Sequence, residues 1–288
     1  MTVESARNVA VVTGASAGIG KSTARMLAAR GWQVIGVGRN PERSAAATAE
    51  INAAAREGGT FTMVRGDFTL MAEVKRVAAE IGDSTAHIDV LINNAGGVRD
   101  QRIVTAEGTE ATFAANHLAP FLLTRELMPL LLESDSARVI AVSSAGHRMS
   151  RGLDWEDLQS LGNFRTGSAY CQAKLANILF TRELDRRAGQ DGITAQAMHP
   201  GTVDSNFASH GDATMKAHME NKVDAVSPDE PAETLVWLAT DPAAGDTGGR
   251  FFYRKAEEIP ADPALDDAAA ARLWIESEKL LATLGYPA

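Results

Sequence analysis

The segment SAYCQAKLANILF (168–180) sets Tyr170 four residues before Lys174. On a helix that spacing puts both side chains on one face. A phenol with its ordinary pKa of about 10 is a poor base at neutral pH, and an ammonium one turn away favours its ionised form. The same pair also arises on surface helices that do no chemistry, so its meaning depends on its surroundings. Ser144 supplies the first of these. It ends the apolar run ARVIAVSS (137–144), with Ser143 beside it, and its hydroxyl is of a kind that can hold a substrate oxygen.

A second group of residues points to a bound dinucleotide. TGASAGIG (13–20) follows the apolar run NVAVVTG (8–14) and opens the helical pattern GKSTARMLAARG (20–31), the context a dinucleotide-binding turn requires. Gly14 permits the tight turn, Gly18 lets the backbone approach a pyrophosphate, and Gly20 lets the helix pack close to a sheet. The free N–H groups and partial positive charge of the helix N-terminus favour phosphate. The spacing is Gly-x-x-x-Gly-x-Gly rather than the more widespread Gly-x-Gly-x-x-Gly, and an incidental glycine-rich turn is the plain alternative. A cationic nicotinamide held here would add to Lys174 in favouring a Tyr170 phenolate.

Where an NAD site usually places an acid for the ribose 2′-hydroxyl, this chain has Gly38-Arg39-Asn40. A guanidinium can pair with a 2′-phosphate and stack on adenine. Arg39 therefore favours NADP(H) over NAD(H); the alternative is a solvated loop cation. Ser16 and Lys21 are candidates for further contacts. Asp67, followed by Phe68, ends the third apolar run. Its carboxylate can accept from an adenine amino group, cap a helix together with Thr69, or do both. In NNAG (93–96), Asn94, Ala95 and Gly96 are small enough to admit a ribose, and the Asn93 amide can tie neighbouring strands.

These residues need a scaffold that brings them to one edge. Apolar runs at 8–14, 32–38, 60–67, 88–96, 137–144 and 192–201 alternate with helical patterns at 20–31, 41–57, 69–82, 107–133 and 168–189. The alternation predicts an α/β fold, a single Rossmann-type doubly wound parallel sheet with helices on both faces. Ligands of such sheets bind beyond the carboxyl ends of the strands. That rim comprises 13–20, 38–40, 67–68, 93–96, 143–144 and 199–203, and every candidate above falls on it or at the start of the next helix. Residues 204–227 lack a clear strand; a helix at 228–240, a strand at 248–253 and a helix at 266–284 follow. No linker divides the 288 residues, so one domain over 1–288 is expected, with substrate-loop insertions at about 145–167 and 204–227.

With 45% apolar residues the chain can bury a substantial core, and its net charge of −9 argues against nucleic acid or an acidic membrane as the main partner. Cys171 has no second thiol to pair with and is expected to be a small packing residue; no spacing points to a metal. The N-terminal residues lack a signal-peptide pattern, and no window reaches the ~20 apolar residues of a membrane helix. The expectation is a cytoplasmic protein with no membrane anchor.

TGASAGIG, NNAG, Asn116 in ANHLAPFLLT, VSS, YCQAK and HPG occur in this order along nearly the whole chain. Together they resemble the short-chain dehydrogenase/reductase family. NHLAPFLLT, AYCQAKLANILFTREL and RLWIESEKLL are most similar to its retinol-dehydrogenase-like and WW-domain-oxidoreductase-like branch. The resemblance implies an NADP(H)-dependent oxidoreductase that interconverts a carbonyl and a primary or secondary alcohol by hydride transfer. It casts Tyr170 as proton donor or acceptor and Ser144 as holder of the substrate oxygen. Lys174 would bind the nicotinamide ribose and lower the tyrosine pKa, and Asn116 would hold a water in a proton relay. Ile19 and the segment from Pro200 through Gly201 to Val203 would flank the nicotinamide. The long stretch between Ser144 and Tyr170 resembles an insertion of that branch.

Relatives often pair through the helices at 107–133 and 168–189, which implies a homodimer or homotetramer. One alternative function is a non-catalytic NADP-binding regulatory protein of the same fold, against which the complete set of four residues argues. The Gly14-Gly18-Gly20 spacing disfavours a sugar-nucleotide epimerase or dehydratase. Trp155, Phe164, Phe207 and Met215 suit a substrate pocket or the interior of the insertions equally well. His117, His147 and His199 are expected to make polar contacts at the rim.

Overall fold

Runs of β-branched and small residues form the strands, and the structure, a computed structural model, describes residues 7–204 and 224–288. β1 (Val9–Thr13), β2 (Gln33–Gly38), β3 (Thr60–Arg65), β4 (Val90–Asn93), β5 (Ala137–Val142), β6 (Ile193–Met198) and β7 (Arg250–Tyr253) pair in parallel. A two-residue β8 (Ala256–Glu257), which the sequence pattern does not predict, adds an antiparallel edge to β7. Among the described residues they make one sheet in the order β3-β2-β1-β4-β5-β6-β7-β8.

Both faces are covered, so the central strands are buried on both sides. Val9 and Val11 of β1 enter one core while Ala10 and Val12 enter the other. On the second face lie α1 (Gly18–Ala28), α2 (Pro41–Ala54), α7 (Asp229–Thr240) and the short α8 (Pro242–Gly245). On the first lie α3 (Met71–Gly82), α4 (Ala111–Phe113), α5 (Ala119–Leu132), α6 (Thr166–Ala188) and α9 (Asp267–Thr283). The expected doubly wound sheet is present. The strands end earlier at the rim than the apolar runs do, which leaves residues 94–96, 143–144 and 199–201 as loop.

One helical region departs from the sequence expectation. The 107–133 pattern starts at Ala111 and is interrupted by a π-helical turn, Ala114–Leu118, before α5. Pro120 in the first turn of α5 has no N–H to continue the regular ladder, and wide turns of this kind recur at functional sites. α9 packs on α5 and α6. Trp274 has its ring centroid 4.7 Å from Phe121 and 6.0 Å from Phe180, and His117 on the π-helical turn is hydrogen-bonded to Ser277 at 2.7 Å. The chain's own C-terminal helix thus covers part of the surface through which the resemblance implies subunit pairing.

The first insertion opens with a 3-10 turn, Ala145–Met149, and runs irregularly to Arg165. Gln172 of α6 pins it, accepting from the Asp154 amide at 2.7 Å and donating to the Leu158 carbonyl at 2.9 Å. Trp155 packs against the core formed with α9, under Arg272 at 4.2 Å, which favours packing for this residue. Phe164 is half-buried. Phe207 and Met215 lie outside the described residues. Among the described residues no helix is long and apolar enough to cross a membrane.

Candidate active site

The chain order reverses between β1 and β4, the crevice where open α/β sheets bind ligands. Thr13 ends β1, and its hydroxyl donates to the Ile92 carbonyl at 3.2 Å and accepts from the amides of Asn94 and Ala95 at 3.0 and 2.9 Å. Asn94 Nδ2 returns a bond to the Thr13 carbonyl at 2.8 Å. The glycine turn and NNAG are therefore one unit across the crevice. Asn93, expected to tie strands, instead donates to Thr124 of α5 at 3.0 Å, and Asn94 does the tying.

Gly14 has φ +72°, and a Cβ there would stand 2.7 Å from Asn94 Nδ2; a Cβ on Gly20 would overlap the Gly14 carbonyl oxygen. Gly20 therefore serves the tightness of the turn itself as well as helix packing. Gly18 also takes a left-handed φ, +54°. Ala17, the cap of α1, offers no side-chain acceptor to the first amides of the helix. Such an N-terminus without a side-chain cap, behind a glycine turn packed directly on NNAG, fits a dinucleotide pyrophosphate. Ile19 is half-buried at the start of the helix.

Beyond the ends of β2 and β3, Arg39 and Asp67 come together, Nη1 to Oδ2 at 3.8 Å, with both side chains well exposed. Asp67 Oδ1 accepts from Thr69 N and Oγ1 at 3.0 and 2.9 Å. These bonds close a turn, but α3 begins only at Met71, and the carboxylate of Glu107 caps it by accepting from the Met71 and Ala72 amides at 2.6 and 2.9 Å. The Phe68 side chain is buried in the core, so this residue offers the rim only its backbone. Ser16 Cβ lies 3.0 Å from the place of a Cβ on Gly38, beside Arg39. Lys21 is engaged by Glu50 at 2.7 Å. Arg99, which no motif singles out, is half-buried; burial and then the charge of Arg39 depress its pKa.

The residues of the expected tetrad converge beside Gly96. Asn116, buried on the π-helical turn, accepts from the Gly97 amide at 3.0 Å and donates to the carbonyls of Gly97 and Thr112 at 2.8 and 2.7 Å. Lys174 Nζ donates to the Val142 carbonyl at 2.9 Å and stands 5.7 Å from the centre of the Tyr170 ring. A Cβ on Gly96 would overlap Asn116 Oδ1 and lie 3.3 Å from Lys174 Nζ. The Ser144 hydroxyl hydrogen-bonds with the Tyr170 phenol and accepts from the Gly146 amide at 3.1 Å. Ser143 has a different task, donating to the Lys174 carbonyl at 2.7 Å.

Burial lowers the Lys174 pKa to about 8. For Tyr170, burial raises the pKa and outweighs the opposing hydrogen bond from Ser144. In the folded chain burial thus governs the phenol, because Val98 and Cys171 pack with the ring and a desolvated phenol resists ionisation; the lowering expected from Lys174 and a cationic nicotinamide would act against it. Cys171 is likewise buried with its thiol pKa raised by burial, as suits a packing residue.

At the end of β6, Gly201 has φ +72°, Pro200 precedes it, and Val203 bridges to Val226. His147 Nδ1 bonds the Ser144 carbonyl at 2.7 Å, and its Nε2 accepts from the Ala261 amide at 3.1 Å. No sequence signal marks this link between the serine turn and the segment after β8, nor the Glu107 cap. Thr13 is different: it heads TGASAGIG, and its position just before a turn signals a side chain free to bind backbone.

The sequence pattern of the short chain dehydrogenase family matches residues 8–216. Retinol dehydrogenase 13 of Homo sapiens is 34% identical over 282 residues, covering 94% of this chain and 83% of the relative. Dehydrogenase/reductase SDR family member 13 of Bos taurus is 38% identical over 277 residues, covering 94% and 72%. Among solved structures, an uncharacterized protein from Mycobacterium paratuberculosis superimposes with a TM-score of 0.77 at 32% identity, covering 98% of this chain and 95% of its own. A dehydrogenase/reductase from Sinorhizobium meliloti 1021 gives 0.68 at 26% identity, covering 90% and 95%.

Proposed function

The chain belongs to the short-chain dehydrogenase family, in its retinol-dehydrogenase-like branch, and on that premise we propose that it is an NADP(H)-dependent oxidoreductase interconverting a carbonyl and a primary or secondary alcohol. One observation carries the reading. Gly96 belongs to the turn bonded to the glycine cradle, and it also faces the buried Lys174 and Asn116. Coenzyme crevice and tyrosine cluster therefore share a single backbone turn.

In this reading Gly14, Gly18, Gly20 and the first amides of α1 hold the pyrophosphate, while Asn94, Ala95, Gly96 and Lys174 hold the ribose next to the reaction. Ile19, Pro200, Gly201 and Val203 flank the nicotinamide, and Arg39, with Ser16, Asp67 and the backbone of Phe68, takes the 2′-phosphorylated adenosine. The bound coenzyme supplies or accepts a hydride. Tyr170 keeps its proton at Oη, as its raised pKa requires, and gives it to the substrate oxygen as negative charge develops there. Ser144, fixed by its bond from the Gly146 amide, holds the same oxygen. Lys174 is pinned to the Val142 carbonyl, and Val98 and Cys171 keep water from the phenol. Asn116 locks the Gly97 peptide and, as the resemblance implies, would hold the water of a proton relay.

Tyr170→Phe tests the reading. Turnover of a carbonyl panel, followed by NADPH absorbance, should vanish while fluorescence titration still shows NADPH binding. Undiminished turnover would remove the tyrosine from the chemistry; a wild-type chain that binds NADPH and turns over nothing would favour the regulatory alternative.

A further inference from the structure

Behind the reaction centre, a set of side chains joins two turns that the chain holds far apart in sequence. His199 follows β6; its amide donates to the Phe252 carbonyl at 3.1 Å, and its ring lies on Tyr253, with centroids 4.3 Å apart and planes 9° from parallel. Nδ1 accepts from the Gly201 amide at 3.3 Å. The ring proton therefore sits on Nε2, which donates to Glu258 Oε2 at 2.7 Å. The other carboxylate oxygen, Oε1, accepts from Arg148 Nη2 at 2.7 Å, and that nitrogen also reaches the Ile259 carbonyl at 2.7 Å. Arg148 belongs to the 3-10 turn Ala145–Met149, whose cap is Ser144. One carboxylate thus grips the serine turn with one oxygen and the turn after β6 with the other.

We propose that Glu258 is a positioning residue whose two oxygens couple the turn carrying Ser144 to the turn Pro200–Val203, and so set the holder of the substrate oxygen against the nicotinamide flank. The inference rests on the coenzyme-site reading. Three features support it. Both bonds are short and one is to a guanidinium, the stronger class of hydrogen bond. The bond to His199 fixes the ring tautomer that leaves Nδ1 free to accept from Gly201, whose left-handed φ of +72° makes that peptide's direction a matter of local support. The carboxylate also stays ionised: burial works to raise its pKa, but the hydrogen bonds from His199 and Arg148, with the Arg148 charge, hold it below the ordinary value. A half-exposed ion pair adds little to global stability, whereas a small misplacement of reacting groups slows chemistry by up to about 100-fold. The bridge is therefore expected to show in rate rather than in melting.

The test uses the full chain with Glu258→Ala, Glu258→Gln, His199→Asn and the double variant Glu258→Ala/His199→Asn. Melting temperature, kcat and the KM for NADPH are measured for each. Glu258→Ala should lower kcat about tenfold and raise the NADPH KM severalfold with little change in melting. The isosteric Glu258→Gln should fall between it and wild type, and it carries the test if the alanine variant does not fold. Because both residues act through one bridge, the double variant should be no slower than the slower single one. Wild-type kcat in Glu258→Ala or Glu258→Gln, or losses that multiply in the double variant, would overturn the proposal. If Tyr170→Phe abolishes turnover and Glu258→Ala does not slow it, only the bridge fails; if Tyr170→Phe stays active, the underlying reading fails.

Discussion

Replacing Lys174 by methionine should make the protein more stable and inactive at once. Lys174 is buried, and burial lowers its pKa from 10.5 to about 8. That fall corresponds to about 3 kcal/mol of penalty for keeping the ammonium in the folded chain. Methionine has a similar length and no charge to desolvate, but it gives up the bond from Nζ to the Val142 carbonyl, which is worth about 1 kcal/mol. The net expectation at pH 7 is a gain of about 2 kcal/mol. The sign of the pH dependence follows from the direction of the shift. Below pH 8 the lysine is charged in both states and the penalty is fully present. Between about 8 and 10.5 the unfolded chain binds a proton that the folded chain does not, so wild-type stability rises with pH relative to the variant. Above 10.5 both states are neutral and the advantage of methionine is gone. Denaturant unfolding followed by tryptophan fluorescence, with wild type and variant compared at each pH, isolates this lysine because the buried thiol and the other titrating groups cancel in the difference. A flat difference curve, or a variant less stable than wild type at pH 7, would refute burial as the cause of the shift.

Gly96→Ala places a methyl group against Asn116 Oδ1, whose side chain makes three bonds in the interior; losing one or two should destabilise by about 1–3 kcal/mol each and lower kcat by about 10–100-fold. Gly167→Ala, on the same helix as Tyr170 with nothing near its Cβ position, is the control and should be neutral or slightly stabilising in thermal melts with full activity. Arg39→Asp should shift the kcat/KM ratio from NADP toward NAD by about tenfold or more, and unchanged selectivity would remove Arg39 from that role. Sedimentation tests the homodimer or homotetramer that the resemblance implies, and a monomer at micromolar concentration would show that α9, which lies over α5 and α6, closes these helices to pairing.

The sheet was legible because its signal is local. Six apolar runs alternating with helical patterns name a doubly wound fold before any contact is known. What escaped has no local period. β8 is two exposed residues between charged neighbours, paired only because β7 lies beside it. The π-helical turn at Ala114–Leu118 differs from an α-helix by one residue per turn, and ANHLAPFLLT reads equally well as either. The cap of α3 comes from Glu107, 36 residues past the amide it serves, and no cap rule written on neighbours could find it. Glycines were the reverse case. Gly14, Gly20 and Gly96 stand where a Cβ would meet fixed atoms, and that demand is written directly in the residue type.

At the site, residue identities were legible while their electrostatics were not. Spacing put Tyr170 and Lys174 on one helical face, and the ordinary expectation was a phenol made acidic by its neighbour. The folded chain encloses both groups, and burial then dominates, moving the phenol up and the ammonium down. The two shifts have one cause and one consequence. A medium that penalises charge also screens it poorly, so any charge near these groups acts on them more strongly than it would at a surface. A positive charge brought into the crevice would pull the Tyr170 proton equilibrium further than it could pull that of an exposed tyrosine. The burial that opposes ionisation at rest is therefore also what makes Tyr170 responsive, and a tyrosine with the same neighbours on an open helix would have a more ordinary pKa and less leverage from each of them.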